Sequence, residues 1–222
     1  MRIKHLFLPI LAVFASLPCL AQRIEPTAIY TDEKGDITEA YDDITGQAPL
    51  TVSFHANPSD MDGRNPIYEW HFQQEGANRE LMVRYEENTE YTFTTAGTTN
   101  VTLIAKFEGG EIGADPIRVT ISESKLTFPN AFSPNDDGFN DNYHAKEYQS
   151  LIEFHAYIFN RWGQKLFEWT NPAEGWDGTF HGKPVKEGVY FLLAKAKGAD
   201  GTEYTIRKDV NLLRGYNKNV NE

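Results

Sequence analysis

Thr99-Asn100-Val101-Thr102-Leu103-Ile104-Ala105-Lys106-Phe107 sets Val101, Leu103 and Ala105 on one side of an extended chain and Thr102, Ile104 and Lys106 on the other. Successive side chains of a strand point to opposite faces, so this run can bury one face. Runs rich in Val, Ile, Thr, Tyr and Phe precede and follow it at 27–31, 50–56, 67–73, 90–94 and 117–122. Further ones lie at 126–128, 152–160, 164–170, 188–197 and 203–213. Gly, Asn, Asp and Pro punctuate them, and helical periodicity is almost absent, which predicts an all-β chain of sandwich type. Residues 145–151 are read as one helical turn. The continuous apolar run Val189 to Ala194 predicts a central strand buried on both faces.

The first 21 residues have the make-up of an export leader. Arg2 and Lys4 precede an apolar stretch from Leu6 to Leu17, and Cys19-Leu20-Ala21 offers the small residues a signal peptidase reads. Cleavage is expected after Ala21. The apolar stretch is too short to stay in a bilayer, so no transmembrane segment is expected once it is removed. Cys19 is the only cysteine, and Pro18 and Leu17 before it do not suit lipidation. Without disulfides the mature protein must rely on packed cores, and its length suits two sandwich domains. The formal net charge is −11, more negative still when Arg2 and Lys4 leave, which argues against nucleic acid and anionic lipid surfaces as partners.

Ser122-Glu123-Ser124-Lys125 is polar and short, and the style of the sequence changes across it. The expected organisation is therefore a leader at 1–21, one β-sandwich at 22–123 and a second at 124–222. In the first, Gly46-Gln47-Ala48-Pro49-Leu50-Thr51-Val52-Ser53-Phe54, Tyr68-Glu69-Trp70-His71-Phe72 and Tyr91-Thr92-Phe93 resemble the PKD family of Ig-like domains. The Trp70 and Phe72 rings fall on one side of a strand, where they can fill the space between two sheets. The family's usual Gly-Asp-Gly turn is replaced here by Gln73-Gln74-Glu75-Gly76. The resemblance implies a spacer or contact module and carries no catalytic residues. Ser59-Asp60-Met61-Asp62-Gly63 reads as an Asx-rich turn with carboxylates that could also hold a cation.

In the second half, Phe128-Pro129-Asn130-Ala131-Phe132-Ser133-Pro134-Asn135-Asp136-Asp137-Gly138-Phe139-Asn140-Asp141 is followed in order by four shorter blocks. These are Ile158-Phe159-Asn160-Arg161-Trp162-Gly163-Gln164, Gly175-Trp176-Asp177-Gly178-Thr179, Gly188-Val189-Tyr190-Phe191 and Val210-Asn211-Leu212-Leu213-Arg214. Together they resemble the gliding-motility-associated C-terminal domain, the type B sorting domain of the type IX secretion system of Bacteroidetes. The resemblance implies export to the cell surface or to the periplasmic face of the outer membrane. It also implies docking on an outer-membrane barrel of the PorP/SprF kind.

Two sites stand out within these blocks. Asn135, Asp137, Asn140 and Asp141 gather side-chain oxygens around Gly138, as calcium loops do, although the distant bidentate Glu of an EF-hand is missing. The other reading is an Asx turn satisfying its own backbone. Asn160-Arg161-Trp162-Gly163 joins two alternating runs, so it predicts a hairpin loop with Gly163 at positive φ. Arg161, Trp162 and Trp176 are residue types that anchor interfaces, while the tryptophans could equally be core.

His55, His71, His144, His155 and His181 show no zinc-like spacing, and no nucleophile elbow, P-loop or dinucleotide fingerprint occurs. A non-enzymatic, surface or outer-membrane-associated binding protein is expected, with calcium as its one candidate cofactor. An adhesin whose first domain binds glycan or protein, with the second serving only as an export address, is the alternative.

Overall fold

The computed structural model describes residues 22–61 and 63–215. The leader with its cleavage point after Ala21 lies outside the described residues, as does Asp62. Every regular element among the described residues is a strand. No described helix is long and apolar enough to cross a membrane.

Among the described residues the first half forms two wide sheets and a short pair, Arg23–Ile24 with Pro58–Ser59. One wide sheet runs Ile44–Gly46, Ile117–Ile121, Gly97–Phe107, Ile67–Gln74, Met82–Arg84, with Gly110–Gly113 also paired to Gly97–Phe107. The other runs Ile37–Ala40, Thr27–Thr31, Leu50–His55, Asn88–Phe93. The alternation read in residues 99–107 carries through: Val101 pairs with Phe72, Leu103 with Trp70 and Ala105 with Tyr68, all on the buried side. Phe54 of the opposing sheet lies 5.7 Å from both the Trp70 and the Phe72 ring centroids. Each such side chain removed from water contributes roughly 1.5–3 kcal/mol, and none of these residues needs a disulfide to hold it. The one polar atom of Trp70 is satisfied, since Nε1 donates to the Glu86 carbonyl at 3.0 Å.

The second half is built differently. One five-stranded sheet, in the order Ala131–Phe132, Glu203–Leu212, Gly188–Gly198, Leu151–Phe159, Lys165–Trp169, supplies most of its regular structure. Ala156, Ile158, Tyr190, Leu192, Ala194, Val210 and Leu212 line its covered face. The cover is short pairs and loops rather than a second wide sheet. Lys125–Thr127 pairs with Glu147–Gln149, Thr179–Phe180 with Lys183–Pro184, and Tyr143 bridges Trp176.

Two expectations need correction. Residues 145–151 hold no helical turn; Glu147–Gln149 is a strand with Tyr148 opposite Leu126. A segment this short cannot nucleate a helix, whereas the adjacent strand offers ready backbone partners. The strand Gly188–Gly198 is central but not buried on both faces. Tyr190, Leu192 and Ala194 are covered, whereas Val189 and Phe191 are exposed and Leu193 only half-covered. Local apolar character reports that a face is suited to burial, and none of the described residues covers this one.

The cores draw on separate stretches, Ile24 to Ile121 and Leu126 to Leu212, with Ala199 the one buried residue of the later stretch that joins the earlier core. The polar segment between them is firmly held. Ser150, buried at a φ of 45°, accepts from the Ala48 amide through Oγ at 3.2 Å and shares a 2.8 Å hydrogen bond with the Ser122 hydroxyl. The Ala96 amide donates to the Ala199 carbonyl at 3.0 Å. Asp200 accepts from the Ser124 amide and hydroxyl at 3.0 and 2.8 Å. A Cβ on Gly198 would fall 2.1 Å from Ser124 Oγ, so the chain passes here only because that residue lacks a side chain.

Candidate functional site

The loop from Asn135 to Asp141 is the first candidate. Asp141 Oδ1 accepts from the amides of Asn135 and Asp136, both at 2.9 Å, and Oδ2 accepts from the Gly138 amide at 2.8 Å. Asp137 Oδ1 takes the Phe139 amide at 2.9 Å, and Asn135 Oδ1 takes the Asp137 amide at 3.2 Å. The backbone is shaped for this, with Asp136, Gly138 and Asn140 all at positive φ. Partial burial pushes the Asp141 carboxyl up, and the three amide bonds outweigh it, so the group titrates below the usual carboxylate range. The carboxylate oxygens are directed at amide hydrogens. Among the described residues, no group of three or more His, Cys, Asp or Glu side chains is disposed to hold a metal ion. At Asn135, Asp137, Asn140 and Asp141, where calcium is the expectation, the residues are brought together, and the oxygens of Asn135, Asp137 and Asp141 accept the loop's own amides in the manner of an Asx turn.

Trp176, which the sequence leaves open as anchor or core, lies in the second core. It is fully buried, 5.4 Å from the Phe132 ring and 5.0 Å from the Tyr190 ring, and its Nε1 donates to the Thr179 carbonyl at 2.7 Å. Its backbone exchanges hydrogen bonds with Tyr143 at 2.8 and 3.0 Å. Its neighbour Gly175 approaches Tyr143 so closely that a Cβ would sit 2.5 Å from the Tyr143 carbonyl oxygen. Asp177 bonds a backbone amide as expected, that of Thr179 at 2.9 Å.

Arg161 and Trp162 sit where a partner could reach them. The hairpin forms as the sequence indicates, with Gly163 at a φ of 80°. Asn160 pins it: its backbone amide donates to Gln164 O and its Oδ1 accepts from the Trp162 and Gln164 amides, each at 3.0 Å. Trp162 remains 78% exposed, with the Arg161 guanidinium 4.8 Å from its ring centroid. A large exposed ring on a rigid loop loses little conformational freedom on binding, which favours it as an anchor.

Sequence reading missed Arg214 as a structural clamp. Its guanidinium donates to the carbonyls of Pro134 at 2.9 Å, Gly178 at 2.8 Å and Val185 at 3.3 Å, tying three loops to the last strand. Its place in the final block was the only signal, because no local pattern announces contacts this distant in sequence.

An all-β chain with two separate cores and a C-terminal unit of pinned loops on one wide sheet defines the class. Residues 126–208 match the family model described as CHU_C Type IX secretion signal domain. The match indicates a protein sorted by type IX secretion, exported to the surface or secreted. No curated protein matches the chain.

Among solved structures, a tetra-tandem repeat in the extending region of a large adhesion protein is similar at 13% identity and a TM-score of 0.30, over 87% of this chain and 68% of that one. The SGBP-B of the Bacteroides ovatus mixed-linkage glucan utilization locus, solved with a mixed-linkage heptasaccharide, is similar at 14% and 0.30, over 82% and 45%. Dimeric latent PorU from Porphyromonas gingivalis is similar at 11% and 0.28, over 85% and 20%. The chain thus spans less than half of the last two.

Proposed function

We propose that this chain is a non-enzymatic, surface or outer-membrane-associated binding protein whose residues 124–222 dock on an outer-membrane barrel of the PorP/SprF kind. Residues 22–123 act as an Ig-like spacer that accompanies this unit. The observation that carries the reading is the family match over residues 126–208, which coincides with the second core. The pinned Trp162 hairpin supports it as a ready anchor. The test is delivery: in a host with a working type IX system, removing residues 126–222 is expected to leave the remainder in the periplasm, inaccessible to protease added to whole cells. Unchanged surface delivery would contradict the proposal.

A further inference from the structure

In the loop from Asn135 to Asp141, the side chains of Asn135, Asp137 and Asp141 accept the loop's own amides, and that of Asn140 does not. Asn140 sits at a φ of 53° and gives its backbone carbonyl to the Ser133 amide at 2.8 Å. Its side chain makes no hydrogen bond among the described residues. It lines a cleft of about 750 Å³ together with Asn142, His144, Phe167, Ala173 and Glu174.

The walls of this cleft are fixed by the fold. On one side the Asp141 carboxylate holds the loop through three amides. On the other, Asn171 Oδ1 accepts from the Ala173 amide at 3.1 Å, and the Asn171 carbonyl from the Glu174 amide at 2.9 Å. The backbone pair of Tyr143 and Trp176 joins the two sides, and the close approach of Gly175 to Tyr143 requires a residue without a side chain. Walls already in place spare a ligand the cost of ordering them.

The lining selects by hydrogen bonding more than by charge. The Asn142 side chain and the Glu174 carboxylate, like the Asn140 side chain, make no hydrogen bond among the described residues. Each side-chain amide offers two donor hydrogens and an acceptor oxygen. The Ala145 carbonyl can only accept, so His144 Nδ1, 2.8 Å from it, donates, and Nε2 of the neutral ring is left as an acceptor. Both Asp141 oxygens are taken by amides, which leaves Glu174 as the one uncommitted carboxylate of the lining. Phe167, half-buried with its ring centroid 5.7 Å from that of Trp169, adds an apolar surface. Past Asn140, Asn142 and His144 the cleft continues into a second of about 450 Å³, bordered by Phe128 and Asn130. Lys208 there is engaged by the Phe128 carbonyl at 2.6 Å, so Lys146 is its one uncommitted cation. Neither sign of charge gathers along the pair of clefts.

We infer that these two clefts form a binding site for a neutral oligosaccharide. Sugar hydroxyls donate and accept at once, as the free amides and the imidazole require, and the C–H face of a sugar ring suits Phe167. Unpaired polar groups disfavour a ligand that cannot bond them, which selects against purely apolar molecules. Each cleft is of a size that holds a small organic molecule, so the pair suits a chain of several sugar rings. The site goes beyond the docking function proposed above and does not depend on it.

Isothermal titration calorimetry of the purified full chain with cellohexaose, maltohexaose and mannohexaose tests the inference. At least one of the three is expected to bind. N140G/N142A should weaken that binding by about tenfold or more, as for two lost hydrogen bonds, with the melting temperature unchanged. Glycine keeps the positive φ that position 140 adopts. E174Q keeps an acceptor oxygen and removes the charge, so its affinity should stay within about threefold of the unaltered chain. Should N140G/N142A fail to fold, A173W decides, because Ala173 is an exposed residue of the lining and a tryptophan there fills the cleft. Unchanged affinity in either folded variant overturns the inference, as does the absence of binding by all three sugars at millimolar concentration. Loss of binding in E174Q, or binding of hexalysine in place of the sugars, would make the ligand a cation and also overturn it. Because binding by the purified chain is the readout, failure of the sorting role would leave this result untouched.

Discussion

The two halves of this molecule solve the same burial problem to different degrees. The first half closes on itself: two sheets meet across Phe54, Trp70 and Phe72, and polar pairs such as Thr51–Thr92 and Lys106–Glu69 bond across their outward faces beside scattered apolar residues such as Ile37 and Ile67. The second half covers one face of its sheet with loops and short strand pairs and leaves apolar residues on the other. The difference teaches where to look for a partner. A unit complete in itself has little to gain from contact, whereas an exposed Val, Phe and Leu row gains when water is expelled from it.

The comparison is broken most severely at the tryptophans. Trp176→Ala removes a fully buried ring packed on Phe132 and Tyr190, and is expected to cost about 3–5 kcal/mol in denaturant unfolding. Trp70→Ala should cost about as much in the first core.

The connection between the halves comes next. Gly198→Ala places a Cβ 2.1 Å from Ser124 Oγ and should cost about 1–3 kcal/mol, the range for overpacking. Calorimetry should then resolve a single transition into two, as the contacts through Ser150 and Ala199 loosen.

Asp200 sharpens the same point through pH. Amide bonds from Thr202 and Ser124 and the Ser124 hydroxyl hold its carboxyl far below the ordinary value of 3.8. A depressed carboxylate stabilises the folded state above that value and loses its contribution as pH falls below it. Asp200→Asn should therefore lower stability near neutral pH and flatten the loss on acidification, as read from melting temperature against pH.

The smallest effect on stability is expected at Trp162. Exposed on its hairpin, its change to Ala should shift unfolding by no more than about 0.5 kcal/mol, in contrast with Trp176.

That contrast marks how far the sequence could be read. Alternation in 99–107 and the hairpin residues Asn160 and Gly163 were legible because period and turn chemistry are local properties. Whether a tryptophan is core or anchor was not, since it depends on what folds over it: Phe132 and Tyr143 come from distant stretches to bury Trp176, whereas Trp162 stays exposed beside its neighbour Arg161. The oxygens of Asn135, Asp137, Asn140 and Asp141 had the composition of a cation loop. That these oxygens take the loop's own amide hydrogens, brought within reach at positive φ, is a feature composition does not express. The run from Val189 to Ala194 was read as buried on both faces, and the described residues cover only one of them.

Oxidative footprinting of the full chain, free and on isolated outer membranes of a type IX-competent host, tests the central claim most directly. The account predicts protection on the membranes at Tyr157, Trp162 and Phe191, with Tyr41 and Tyr85 of the first half remaining as reactive as in the free protein. Protection at Tyr41 and Tyr85 with Tyr157, Trp162 and Phe191 still reactive would contradict it.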